Sequence, residues 1–157
     1  MRFRRVIRRA RDGSFEVRLS DEERAVLRSV PGQMREALVD PSDPALARLF
    51  PTAYPEDSEK EAEYRRLMGD DLTAGRLQAL ETLEASADST RLDEPQALAW
   101  ARAINDVRLV LGTRLDVTED PADREVGPDD PRAAAFALYD YLSFLEEQLV
   151  EALSERP

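Results

Sequence analysis

Residues 93–115, DEPQALAWARAINDVRLVLGTRL, decide the fold, because they form a complete helix signature with its own start signal. Asp93 and Gln96 make a capping box, and Pro95 falls in the first turn, where its missing N–H costs nothing. The apolar residues that follow recur at helical spacing and predict a helix in which Trp100 is a core anchor. They are Leu98, Trp100, Ala101, Ile104, Val107 and Leu111.

The helix nearest the N-terminus is predicted to begin at Ser20, because Ser20 and Glu23 form another capping box. Pro31-Gly32 interrupts its apolar run without breaking the phase, which predicts either a kink or two short helices meeting there. The run consists of Leu27, Val30, Met34 and Leu38. Residues 40–57 contain four prolines and are predicted to be a connector with one short helical turn around Leu46, Leu49 and Phe50.

Two more helices complete a predicted bundle of four to five. Ser58 and Glu61 mark the start of a long helix, which Gly69 is expected to bend or divide. The last helix, about residues 131–153, has a narrow apolar seam that suits either a homodimer or the chain's own core. The apolar positions are Tyr64, Leu67, Met68, Leu72, Leu77, Leu80 and Leu83 in the long helix, and Ala135, Leu138, Leu142, Leu145, Leu149 and Ala152 in the last one.

Residues 3–19 are predicted to form a small N-terminal β-hairpin. Asp12-Gly13 is a signal for a two-residue type I′ turn, and alternating apolar and charged residues follow it. A two-residue loop pairs Ala10 with Phe15, Arg8 with Val17 and Val6 with Leu19, and sets Arg9 opposite Glu16. That register leaves Arg8 on the apolar face, which favours a shifted one. The predicted fold is therefore one mainly α domain over residues 1–157, a helical bundle over 20–157 with the hairpin laid on it.

Composition excludes several classes of chemistry. The 157 residues include no His and no Cys, which removes the commonest general base, thiol nucleophiles, disulfides and Cys/His zinc sites. The acidic loop 116–131 does not match a calcium-binding EF-hand loop, since Gly127 as the turn glycine would make Ala122 the first ligand. We therefore expect no cofactor, no metal and no enzymatic activity. A carboxylate-based enzyme stays a third hypothesis, which requires several acids with raised pKa values converging in one pocket.

Charge is distributed unevenly along the chain. Residues 1–18 carry seven Arg against Asp12 and Glu16, a net of +5, whereas residues 19–157 hold 15 basic and 31 acidic residues, a net of −16. The basic hairpin either docks on the acidic body of its own chain or contacts an external anion, and self-docking is the favoured interpretation. In the nucleic-acid hypothesis Arg4, Arg8 and Arg9, together with Arg11 and Arg18, would contact phosphates. A sequence pI near 4.6 argues against broad DNA binding.

The stretch around residue 108 carries a second set of candidate partner-binding residues. Asn105, Arg108 and Gly112 fall on one side of the predicted helix, one turn apart, and Arg114 follows near its end. One interpretation is a polar recognition ridge for a partner; the other is a core helix whose Asn and Arg bond to neighbouring loops. Gly112 would either let another backbone come close or end the helix in left-handed geometry.

Several of these motifs together resemble a known family. F-R-R-V at residues 3–6, the Asp12-Gly13 turn, L-S-D-E-E at residues 19–23 and INDVRLVLGTRL at residues 104–115 are similar to the bacterial family called domain of unknown function 2017. The best marker is RLVLGTRL, residues 108–115, and the likeness covers nearly the whole chain. The resemblance implies a small cytoplasmic protein of high-GC bacteria, often encoded near a Clp protease adaptor, with a role in regulation or proteolysis. It implies no catalytic residues.

The function predicted from these observations is a non-enzymatic regulatory or adaptor protein that acts through protein–protein contacts. The alternative is a transcription-linked stress regulator whose Arg-rich hairpin contacts nucleic acid or the transcription machinery. Nucleic acid is the less favoured partner and a homodimer is an open possibility. No stretch approaches the ~20 apolar residues of a membrane span, so no membrane partner is expected. If relatives use a thiol switch, this chain departs from them, since it lacks Cys.

Overall fold

The computed structural model describes residues 4–40, 42–50, 52–117 and 127–156, and of residues 70 and 72 only the backbone. In these residues four helices pack into a bundle, and a three-stranded antiparallel sheet of order β1-β2-β3 lies at its N-terminal side. The predicted mainly α fold with an N-terminal hairpin is confirmed. The elements are β1 (Ile7–Arg9), β2 (Phe15–Val17), α1 (Asp21–Leu38), a 3₁₀ turn (Pro44–Leu46), α2 (Ser58–Ser86), β3 (Arg91–Leu92), α3 (Glu94–Arg114) and α4 (Ala133–Ser154).

The hairpin is shifted by one residue from the register of a two-residue turn. The N–H of Ala10 donates to the carbonyl of Ser14 at 2.7 Å and Gly13 has φ 89°, so the loop has three residues. Since side chains alternate along a strand, this shift turns Arg8 to solvent and Arg9 toward the body of the protein. The pairs of the two-residue loop are therefore wrong, the shifted register that the placement of Arg8 favoured is confirmed, and the observed pairs are Ile7 with Val17, Arg8 with Glu16 and Arg9 with Phe15.

The third strand, β3, is an element that the sequence analysis missed. Leu92 pairs with Phe15 and Arg91 with Glu16, and the N–H of Val17 donates to the carbonyl of Thr90 at 2.8 Å. An isolated two-stranded hairpin is marginal in water. The added strand ties the hairpin to the loop between α2 and α3 and gives the sheet an inner apolar face of buried residues, which are Ile7, Phe15, Val17 and Leu92.

Helix α1 confirms its predicted start, because the Ser20 hydroxyl accepts from the N–H of Glu23 at 3.2 Å. The helix then runs through Pro31 without interruption, so the alternative of two short helices is wrong. Pro31 removes one N–H, but it is buried in the same apolar stripe as Leu27 and Met34. Burial of that stripe offsets the lost hydrogen bond.

Helix α2 begins at Ser58, but its cap is Asp57 rather than the predicted Ser58. The Asp57 carboxylate accepts from the N–H groups of Glu59 and Lys60, both at 3.1 Å. Gly69 does not divide the helix, which continues to Ser86. Its apolar positions split by environment: Leu80 and Leu83 are fully buried, whereas Leu67 and Met68 are 62% and 40% exposed.

Helix α3 is the central helix and packs against both α2 and α4. Its capping box of Asp93 and Gln96 is confirmed, with bonds of 2.8 and 2.9 Å in the two directions. Trp100 is fully buried, as predicted for a core anchor, and its indole N–H donates to the hydroxyl of Ser86 on α2 at 2.7 Å. Side chains on two sides of α3 are consequently buried.

The apolar seam of α4 belongs to the chain's own core. Leu142, Leu145 and Leu149 are fully buried against the bundle, so the seam offers no free face to a second copy. Residues 118–126 of the predicted acidic loop 116–131 lie outside the described residues.

Candidate functional site

Arg4 lies against the acidic body of the protein. Its guanidinium forms an ion pair with the carboxylate of Glu23 on α1, which also accepts from the Tyr141 hydroxyl at 2.9 Å. Burial alone would raise the pKa of Glu23, but the bonds from Arg4 and Tyr141 outweigh it and hold that pKa below its usual range. Burial raises the pKa of the Tyr141 hydroxyl, and the hydrogen bond to the Glu23 carboxylate acts in the same direction. Arg4 therefore joins the hairpin to α1 and, through Glu23, to α4.

Arg9 is the most enclosed of the predicted hairpin arginines. Its guanidinium donates to the carbonyl of Glu155 at 3.1 Å and to the carboxylate of Glu94 at 3.3 Å. It also lies 5.1 Å from the centre of the Phe15 ring, and Arg5 next to it pairs with the Glu155 carboxylate. Arg9 thus ties the hairpin to the start of α3 and the end of α4.

Arg8 occupies the solvent side of the sheet. It is opposite Glu16 on β2, which is in turn opposite Arg91 on β3, so the three side chains form a cross-strand row. Glu16 lies 3.6 Å from Arg91 and 3.7 Å from Arg18. Arg8 and Arg11 are exposed and have no hydrogen bond or ion pair with the described residues.

Arg24 of α1 is a structural arginine that the sequence analysis missed. It is 8% exposed, and its guanidinium donates to the carbonyls of Ala87 at 2.9 Å, Ser89 at 2.8 Å and Val17 at 3.4 Å. One side chain thereby joins α1, the end of α2 and the hairpin. The sequence did contain a signal for this role. Arg24 lies one turn before Leu27, so it falls in the apolar stripe of α1, where a charged side chain is buried.

The predicted ridge on α3 is not an open surface. Asn105 and Arg108 are half-buried, and Gly112 is buried, with the ring of Tyr139 3.2 Å from where a Cβ would stand. The close neighbour of Gly112 is therefore a side chain and not a backbone, and the glycine lies inside α3 rather than at its end. Arg114 is half-exposed and lies 3.6 Å from the Asp43 carboxylate.

The six predicted partner-binding residues consequently do not form one site. Arg4, Arg8 and Arg9 belong to the sheet, whereas Asn105, Arg108 and Arg114 follow α3. Three of them, Arg4, Arg9 and Arg114, bond within the chain. None of the described contacts brings the two groups together, and partner binding by these residues stays a prediction.

A charged cluster lies inside the bundle, between α2 and α3. The guanidinium of Arg76 pairs with the carboxylate of Asp106, which is 4% exposed, and donates to the carbonyl of Leu49 at 2.7 Å. It also lies 5.4 Å from the centre of the Phe50 ring. Burial raises the pKa of Asp106, while the hydrogen bond and charge of Arg76 act in the opposite direction. Arg76 thus fixes the connector before α2 to the core.

Glu146 on α4 extends this cluster. Burial raises its pKa to about 7, with the Asp106 carboxylate acting in the same direction and Arg108 against it. One oxygen of Glu146 and the Nε of Arg108 are both buried without a hydrogen-bond partner in the described structure. The sequence analysis singled out Arg108 but missed Asp106 and Glu146, because each sits at the edge of an otherwise apolar stripe.

An open concave surface runs between α2 and α3. A cavity of about 530 Å³ is lined by residues from both helices, and one of about 300 Å³ adjoins it. Both cavities share Gln78, Thr82 and Pro95. The rim carries Leu98, which is 52% exposed. Leu98 belongs to the apolar run of α3 in the sequence, and the structure places it on the exposed side of the helix.

Two properties of the described residues bear on ligand classes. They contain no group of three or more acidic side chains arranged to hold a metal ion. None of the helices they form has both the length and the apolar composition required to cross a membrane.

Comparison with known proteins identifies the family. The model of the family described as a domain of unknown function (DUF2017) matches residues 2–153. The chain therefore belongs to this family, which confirms the resemblance seen in the sequence. No solved structure matches the chain.

The chain is also similar to curated mycobacterial proteins. It is 29% identical over 193 aligned residues to the "Oxidative stress regulator AosR" of Mycobacterium bovis, a match that covers 97% of this chain and 87% of that protein. The protein of the same name from Mycobacterium tuberculosis has the same identity and coverage. The "Putative oxidative stress regulator AosR" of Mycobacterium leprae is 33% identical over 130 residues, which cover 72% of this chain and 59% of that relative's length. These relatives support a regulatory role.

Proposed function

We propose that this protein is a non-enzymatic regulator of the response to oxidative stress and that it acts through contacts with another protein. The observation that carries the proposal is the likeness to relatives named oxidative stress regulators, which in two of them extends over 97% of this chain. The absence of His and Cys supports a role without catalysis, since the usual general base and nucleophilic thiol are both missing.

The proposed mode of regulation does not use a thiol of this chain. A chain without Cys cannot form a sulfenic acid or a disulfide of its own. The oxidant signal would then reach this protein through its partner or through its own abundance. In this respect the proposed mode of regulation differs from that of any relative that senses oxidants with its own reactive cysteine.

The bonding of the hairpin arginines favours protein contacts over nucleic acid. Arg4 and Arg9 bond to Glu23, Glu94 and the carbonyl of Glu155, all within the chain. Binding to phosphates would have to break these bonds, and the −16 charge of residues 19–157 would repel the duplex. Only Arg8 and Arg11 among the described hairpin arginines are free of such bonds.

The experiment that tests the proposal is a gene deletion in the native host, followed by transcript profiling with and without peroxide. The expected result is a changed peroxide response that the wild-type gene restores. The Arg8→Glu/Arg11→Glu variant should restore it as well, whereas a nucleic-acid role of the hairpin would make that variant inactive. An unchanged peroxide response in the deletion strain would refute the proposed regulation.

A further inference from the structure

We infer that the groove between α2 and α3 binds an amphipathic helix of a partner protein, with apolar side chains on one face and Lys or Arg residues beside them. This inference rests on the proposed function, because it names the surface through which a regulator of this kind would make its protein contact. The argument uses the shape of the groove, its exposed apolar residues and its charge.

The shape of the groove suits a helix. Its two adjoining cavities of about 530 and 300 Å³ are bounded on the α2 side by the small residues Gly75, Ala79 and Ala85, and on the α3 side by Pro95 and Ala99. The small side chains of Ala79, Ala85 and Ala99 leave room for a third helix, whereas beside Gly75 the guanidinium of Arg102 fills the space. The base of the groove is held in place by a hydrogen bond between α3 and α2, which the indole N–H of the fully buried Trp100 donates to the hydroxyl of Ser86.

Exposed apolar residues extend this surface along α2. Met68 lies seven residues before Gly75 and Leu67 lies eleven before Gln78, so at 100° per residue both follow the face of α2 that lines the groove. Leu67 and Met68 are 62% and 40% exposed, and Leu98 across the groove is 52% exposed. The surface from residue 67 to residue 86 is about 28 Å long, which matches about five turns of a helix.

Charge selects the occupant. Asp71 and Glu81 are exposed on α2 beside this surface and have no hydrogen bond or ion pair with the described residues. The one cation lining the described groove is Arg102, whose guanidinium lies beside Gly75 and whose charge also acts on the buried Asp106 carboxylate. A second copy of a chain with net charge −11 would bring further acids to these positions. A basic helix instead meets unpaired carboxylates, as in other helix-in-groove complexes.

The test uses a display library of amphipathic peptides of about 19 residues, the length that spans the groove. Each peptide has a fixed leucine face, and its flanking positions are randomised between Lys and Glu. The library is selected against the full-length protein, and the affinity of the selected peptides is measured by fluorescence anisotropy. Enrichment of Lys at the flanking positions is the expected result; enrichment of Glu, or no selection of any peptide, would overturn the inference.

Variants locate the binding site on the protein. Leu98→Glu and Met68→Glu are each expected to weaken binding of a selected peptide by about tenfold or more, because each removes the burial of one large apolar side chain. Asp71→Lys/Glu81→Lys should weaken it as well and reduce its salt dependence. The matched control is Val150→Glu on α4, where the side chain is 51% exposed and far along another helix, and it should bind like the wild type. Circular dichroism confirms that each exposed substitution leaves the fold intact.

Two outcomes would assign the groove differently. If Leu98→Glu and Val150→Glu bind a selected peptide equally well, the groove is not its site and the inference is wrong. If light scattering gives twice the 17.7 kDa of one chain and Leu98→Glu restores the single chain, a second copy occupies the groove instead. Both measurements are independent of the gene-deletion experiment. If the peptide does not bind in the groove, the proposed regulation is unaffected, and if the peroxide response is unchanged, the binding measurement is still valid.

Discussion

Replacing Arg24 with Met should destabilise the fold strongly, although Arg24 belongs to no predicted site. Its guanidinium donates to the carbonyls of Ala87 and Ser89, which lie just after α2, and to the carbonyl of Val17 in the hairpin. Met keeps most of the apolar stem but has no N–H, so these carbonyls would be left in the interior without their donors.

The magnitude follows from the two shorter bonds, at 2.9 Å to Ala87 and 2.8 Å to Ser89. A hydrogen bond to a charged donor contributes about 1.5–3 kcal/mol, so the loss of both predicts a decrease of at least about 3 kcal/mol in the free energy of unfolding. The bond to Val17, at 3.4 Å, adds little. For a chain of this length, the melting temperature should fall by about 6–12 °C.

The measurement is urea unfolding followed by the fluorescence of Trp100, which is the single tryptophan of the chain and is fully buried. Arg28→Met is the matched control, one turn further along α1, because the Arg28–Asp88 ion pair is exposed on both sides and should contribute less than about 0.5 kcal/mol. The midpoint for Arg24→Met should fall with an unchanged slope. Equal midpoints for the two variants would refute the view that Arg24 holds the hairpin, α1 and α2 together.

Three further changes test other parts of the structure in the same unfolding assay. Gly32 lies inside α1 with open space where a Cβ would stand, so Gly32→Ala should stabilise the protein by about 0.5–1 kcal/mol. Gly13 has a φ of 89°, so Gly13→Ala should destabilise it. If the free energy of unfolding changed in the same direction in both variants, the result would contradict the structure. Asp106→Ala leaves the half-buried charge of Arg76 unpaired and should cost about 3 kcal/mol, more than Asp106→Asn, and an equal loss for the two would argue against the ion pair. Burial raises the pKa of Glu146 to about 7, above its value in the unfolded chain, so the stability that this group gives the wild type is lost as the pH rises from about 4.5 to 7. Glu146→Gln does not titrate and should therefore gain stability relative to the wild type between pH 5 and pH 8. A difference between the two proteins that stays constant over this range would contradict the raised pKa.

The helices could be predicted because their signals are local. The Asp93–Gln96 capping box and the Ser20 cap each depend on residues within one turn, and both were found where the sequence placed them. The burial of Trp100 followed from its place in a regular apolar stripe. Where a competing local signal existed, the structure used the stronger one: the carboxylate of Asp57 caps α2 one residue before Ser58.

The sheet could not be predicted in the same way, because its register and its third strand depend on distant residues. The Asp12-Gly13 pair signals a turn, but it does not fix whether the loop has two residues or three. Packing of Arg9 against Phe15, Glu94 and Glu155 agrees only with the three-residue loop. The two residues of β3 are too few to produce a pattern of their own.

The interaction surface was hidden from the sequence for a related reason. Leu67 and Met68 belong to the same run of apolar residues as Leu80 and Leu83, and Leu98 belongs to the same run as Trp100, so the runs by themselves did not separate the exposed members from the buried ones. The 29-residue α2 is longer than the 21-residue α3 on which it packs, so part of its apolar stripe has no helix to cover it. Meanwhile Arg4, Arg5 and Arg9 of the N-terminal segment bond to carboxylates of the chain itself, whereas Arg8 and Arg11 stay exposed. Part of the positive charge of the hairpin is therefore structural, and the surface proposed for a partner lies on α2, a helix whose pattern resembles that of an ordinary core helix.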